Sequence, residues 1–111
     1  MAYDVELADR IRRHLAGAPG LTEKKMFGGL CFMVKGHMVC GPVRDLLMVR
    51  VGPDAYDDAL AQPDARPMTF TGRTMRGFVE IDAEALGDDD VLAEWVDRGV
   101  AHALSLPPKG A

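Results

Sequence analysis

The sequence predicts an α+β domain: a two-layer sandwich in the order α-β-β-β-α-β-β-α, with a mostly antiparallel five-stranded sheet and helices packed on it. Three observations lead there. Apolar residues recur at helical spacing near both ends of the chain. Five short apolar runs lie between them. Successive runs are joined by connections of hairpin length, which favours antiparallel pairing with helices on one face. At 111 residues, 48% apolar and 27% charged, the chain has the size and composition of one globular domain, with room for a single core. Residues 1–106 are read as that domain and 107–111 as a short tail, where prolines cannot continue a helix.

The first helix runs from Asp4, placed to cap it, to about Ala16, with Val5, Ala8, Ile11 and Leu15 in its stripe. Gly17-Ala18-Pro19-Gly20 stops it. From Lys25 the period changes: Met26 to Val34 reads as a strand interrupted by Gly28-Gly29, a pair suited to a bulge or bend that lets a helix approach the sheet. Lys35-Gly36 is a turn, His37 to Cys40 the returning strand, and Leu46 to Val51 a third. A short helix follows at about Ala55–Ala61, and Pro63 and Pro67 bracket a loop. Met68–Thr71 and Gly77–Ile81 are two further strands, connected through Gly72-Arg73-Thr74-Met75-Arg76. Asp88-Asp89-Asp90 opens the last helix, its acids set against the positive end of the helix dipole. Leu92, Trp95, Val96, Val100, Ala103 and Leu104 form that helix's stripe. Gly99 lies within it, at a cost of about 1 kcal/mol relative to Ala that points to close packing on the sheet.

Thirteen basic and seventeen acidic residues give a net charge of −4, so non-specific phosphate attraction is not the chain's main business. Aromatic residues make up 6%, too few for a stacking platform on single strands. No signal-like start or membrane-length apolar run is present, and two cysteines do not make a secreted disulfide framework. A soluble, cytoplasmic protein with no membrane association is expected.

Two groups of residues suggest chemistry. A two-residue turn at Lys35-Gly36 pairs Cys31 with Cys40 and puts Cys31, Met33, Met38 and Cys40 on one face, where soft sulfur ligands could hold Cu(I) or the thiols form a redox pair. The competing reading is that thiols and thioethers simply fill the core. Arg66, Arg73 and Arg76 lie in a stretch with no acid between Ala65 and Val79, with Phe78 as an apolar neighbour. They suit bidentate capture of a partner carboxylate or a phosphate, unless they pair with the chain's own acids such as Glu80 or Asp82. Lys24, Lys25 and Arg50 are candidates to extend that patch. The acids from Glu80 to Asp97 fit helix capping and a solvated face better than a calcium loop. His14, His37 and His102 do not converge in sequence, and Ser105, the only serine, lacks a nucleophile-elbow context.

Read together, Lys25-Met26-Phe27-Gly28-Gly29, Gly36-His37-Met38, Leu47-Met48-Val49-Arg50-Val51-Gly52 and the long stretch Arg66 to Phe78 resemble the N-terminal domain of the TfoX/Sxy family, over about Arg10 to Lys109. The resemblance implies a two-layer α/β sandwich similar to that of secretion chaperones. It also implies a regulatory role linked to transcriptional regulation of competence beside a cyclic-AMP receptor protein. Best-known members carry a C-terminal helical domain, and this chain is expected to be a stand-alone form without it. The resemblance supplies no catalytic residues. The expectation is therefore a non-enzymatic, protein-binding module without cofactor or metal, its partner to be sought among transcription regulators, with Arg73, Arg76 and Phe78 as first contacts. Self-association through a sheet edge is a further expectation, and direct nucleic-acid or small-anion binding by the three arginines is the alternative.

Overall fold

The computed structural model describes residues Tyr3 to Pro107; the expected tail, apart from Pro107, lies outside them. The chain forms α1 (Val5–His14), β1 (Leu21–Met26), β2 (Gly29–Val34), β3 (His37–Val43), β4 (Leu46–Arg50), α2 (Tyr56–Leu60), β5 (Ala65–Phe70), β6 (Arg73–Asp82), a 3-10 turn (Ala83–Leu86) and α3 (Asp89–Leu104). All strand pairs are antiparallel, in the spatial order β1-β2-β3-β4-β6-β5.

The sheet has six strands where five were expected, because Gly28 does not bend one strand but closes a hairpin between two. Phe27 and Gly28 both take positive φ, 56° and 76°, as a two-residue turn of the primed type requires. Lys35-Gly36 and Thr71-Gly72 do the same. β1 escapes a reading by pattern because it is an edge strand whose central four residues are exposed and mostly charged. Thr71-Gly72 likewise takes over the turn, so that Arg73 to Arg76, expected in a connection, belong to β6. Pro67 lies not in a loop but in edge strand β5, where the missing N–H is tolerated.

The helices share one face of the sheet. Leu7, Ala8, Ile11 and Leu15 of the first helical segment and Leu92, Trp95, Val96 and Ala103 of α3 close over Phe32, Val34, Val49, Val79 and Ile81. Val5, expected in the stripe, is exposed, and Leu7 takes its place. The caps fall where expected: Asp4 Oδ1 accepts from Leu7 N at 3.0 Å, and Asp88 Oδ1 from Asp90 N at 2.8 Å. Gly99 has the reason its position suggested, since a Cβ there would collide with the Val39 carbonyl.

The other face carries a second apolar cluster with no helical residue in it. Cys31, Val43, Leu46, Met48 and Met68 are buried, and Met26, Phe27, Met33, Met38, Met75 and Phe78 pack against them. What covers it is the sheet itself. Between the pairs Pro67–Val79 and Thr69–Thr74, the β6 residues Met75 to Phe78 oppose Met68 alone. Gly77 sits in this bulge at φ 90°, and bulges bend the strands that contain them. Beyond it the β5–β6 tip reaches back across the face, carrying Met68 and Met75 into the cluster and Phe70 onto Phe27.

Candidate functional site

The second face is the chemically distinctive part of the molecule. All six methionines after Met1 lie in its cluster, and none lies in the helix-covered core. β2 shows how: Leu30, Phe32 and Val34 point toward the helices, while Cys31 and Met33 point away. In β4, Leu47 and Val49 face the helices, and Leu46 and Met48 face the opposite way. The sequence signal was therefore the alternation of methionine with β-branched or leucine residues, visible strand by strand once register is known.

The expected pairing of Cys31 with Cys40 does not occur. Val34 pairs with His37 and Met33 with Met38, but a bulge leaves Val39 unmatched, so Phe32 faces Cys40. One extra residue reverses every later side chain. Cys31 and Met33 stay with Met38 on the second face, whereas Cys40 turns into the helix-covered core. The four-sulfur site is thereby broken up. Both thiols are free and buried. Loss of water pushes Cys31 up to about 11, against a smaller opposing effect of Arg50, and drives Cys40 higher still. Neither has the thiolate character of a reactive cysteine.

The three arginines also part company. Arg66 Nε donates to Glu80 Oε1 and Nη2 to Asp82 Oδ1, both at 2.8 Å, so its fork is occupied by its own chain. Hydrogen bonding to Arg66 holds the Asp82 carboxyl below its ordinary value. Arg73 pairs across the strands with Phe70 and, two residues from Met75, shares its side of β6. Arg76 stands on the other side, its guanidinium 5.3 Å from the Tyr56 ring centroid. Of the suggested extensions, Lys24 joins the methionine face, where it is the cross-strand partner of Cys31. Arg50 does too, 5.9 Å from the Phe78 ring and opposite it in register. Lys25, one residue on, points to the helix side with Leu30.

Elsewhere several charged side chains are paired within the fold. A surface cleft between α1 and α3 is lined by Arg10, Arg13, His14 and Asp89. Arg10 is held by Asp89 and His14 by Asp97, each at 2.8 Å. His37 is bonded to the Pro107 carbonyl, and His102 packs against Gly52, whose missing Cβ makes room for its ring. No group of three or more His, Cys, Asp or Glu suited to a metal occurs among the described residues.

The sheet, its hairpins and the last helix are also what a known domain type shares with this chain: the model of the TfoX N-terminal domain matches residues 13–103. The chain belongs to the TfoX N-terminal domain family. A comparison with curated proteins gave no match. The TfoX match begins within the last turn of α1 and ends one residue before the close of α3, so it includes the whole methionine face and the helix-covered core apart from Leu7, Ala8 and Ile11 of α1.

Proposed function

We propose that this TfoX N-terminal domain is a non-enzymatic protein-binding module of a cytoplasmic regulatory complex, and that it receives its partner on the methionine face. One observation carries the reading: every described methionine is gathered on the sheet face that has no helix, with Met26, Met33, Met38 and Met75 left partly exposed. Methionine is unbranched and polarizable, so a surface rich in it can repack around a partner without a rigid fit. A part in the transcriptional regulation of competence rests on family membership and belongs to the same proposal.

The arginine alternative draws little support from geometry, since Arg66 is neutralised and Arg73 and Arg76 point to opposite sides. Edge pairing is opposed by the lysines of β1 and by Pro67 in β5. The test is capture from host extract by the wild type, by Met75→Ala/Phe78→Ala, and by Arg76→Ala/Glu94→Ala on the helix side. The proposal expects the first double variant to lose a protein that the second retains, with both still folded by circular dichroism. Equal retention by all three would refute it.

A further inference from the structure

We propose, resting on the protein-binding reading above, that the partner offers an acidic segment with apolar anchor residues, recognised by the methionine face through Lys24, Arg50 and Arg73. The argument is one of charge left over after internal pairing. The strand residues that share this face include four bases, Lys24, Arg50, Arg66 and Arg73, and two acids, Glu80 and Asp82. Arg66 takes both acids. The remaining three bases form no ion pair among the described residues.

Their placement follows the apolar cluster. Lys24 flanks Cys31 and Met33 across β1 and β2; Arg50 stands by Phe78; Arg73 lies at the hairpin tip beside Phe70, where that tip meets Phe27. The chain as a whole carries −4, so a local excess of three unpaired cations around apolar side chains is a departure from its general character. A second copy binding face to face would set these cations against one another, and like charges brought together at an interface are costly. A nucleic acid would find mostly thioethers, with Phe27 and Phe70 set edge-to-face on one another and Phe78 beneath Arg50, where stacking proteins present free aromatic planes. Carboxylates flanking Leu, Phe or Trp satisfy both halves of the surface: the apolar anchors enter among the methionines and the acids meet the cations at the rim.

The test is selection from a random 16-residue peptide display library, performed on the wild type and on Lys24→Glu/Arg50→Glu/Arg73→Glu, with binding located by methyl NMR, the six methionines after Met1 reporting on this face and Leu47, Val49, Val79 and Ile81 on the helix side. The wild type is expected to enrich Asp and Glu beside large apolar residues. The triple variant should lose that bias while the helix-side signals show it folded; as a milder control, Arg73→Gln alone should weaken a selected peptide several-fold. Apolar peptides without acidic bias, or a bias unaffected by charge reversal, would overturn the acidic class and leave the protein-binding reading standing. No enrichment above background, or shifts confined to the helix side, would overturn both. A fluorescent single-stranded RNA or DNA 12-mer that binds at physiological salt and shifts the same methyl signals would replace this partner class with nucleic acid.

Discussion

The ring of Phe27 stands edge-on to that of Phe70, with 5.0 Å between centroids and 83° between planes. Phe27 lies in the turn that follows edge strand β1, and Phe70 ends β5, the strand at the opposite edge. In a flat sheet five inter-strand spacings would hold those edges about 24 Å apart. Phe27 is also at the end of the sheet beside Val43, whereas the β5–β6 hairpin leaves past Arg50 at the other end. The contact therefore closes a diagonal, and it exists because the bulge at Gly77 folds the hairpin tip over the methionine face.

That contact should have a measurable worth. In a double-mutant cycle with Phe27→Ala and Phe70→Ala, urea denaturation is expected to give a coupling of about 0.5–1.5 kcal/mol, the range for an edge-to-face pair. Phe70→Ala should also hasten peroxide oxidation of the buried Met68, read by peptide mass spectrometry. Strict additivity together with unchanged oxidation would mean that the tip is held down by other contacts.

Gly99→Ala separates helix propensity from packing. In an isolated helix the change would gain about 1 kcal/mol. Here the new methyl would come within 2.9 Å of Val39 Cγ1 and 3.0 Å of its carbonyl carbon, besides striking the oxygen. Overpacking of this kind costs about 1–3 kcal/mol, so a lower Tm is expected, by several degrees for a domain of this size. A rise in Tm would show that α3 can move away from β3 freely.

The two cysteines should behave as buried core residues on opposite sides of one sheet. Iodoacetamide at pH 7.5 should label neither in the native protein and both in urea, and mild oxidation should yield no Cys31–Cys40 disulfide. The physical cause is desolvation, which disfavours the thiolate that must attack. Rapid native labelling of either would contradict the burial.

Stability should fall in two stages as the solution is acidified. His102 is pushed low, first by burial and then by Arg50, so below about 6.5 the unfolded chain takes up the proton more readily and the native state loses ground. Asp82, held low by Arg66, contributes in full above the ordinary carboxylate value of about 4, and that contribution is lost as pH falls from there through its lowered folded value. Urea midpoints from pH 8 to pH 3 should trace both stages. Arg66→Ala should shrink the lower one and leave the upper intact, and a profile insensitive to that substitution would refute the assignment.

Local chemistry was legible wherever its causes lie within a few residues. Asp4 and Asp88 announce their helix starts, and Lys35-Gly36 announces its turn, because a cap or a two-residue turn depends on side-chain oxygens and φ preferences close at hand. Gly99 could be read as a packing residue, since it interrupts an otherwise apolar stripe. Strand alternation near the turn was legible as well, and Val34–His37 and Met33–Met38 pair accordingly. One residue farther from the turn the reading failed, because a bulge leaves Val39 unmatched where β3 packs beneath Gly99 of α3, a contact between distant parts of the chain.

The candidate site divides in the same way. The composition of the face, methionines and arginines with few acids between them, was present in the sequence. Which arginine is free was not: Arg66 is neutralised by residues 14 and 16 positions away, and Arg73 and Arg76 are parted by the odd spacing of a strand that had looked like a loop. By itself the sequence determined the α+β class, the helix ends and the family, since these follow from periodicity and short-range chemistry. The tertiary structure alone decided which face the methionines share, that the sheet folds back over them, and which charges remain unpaired. Those depend on register and on contacts between distant strands, where a single inserted residue reverses the outcome.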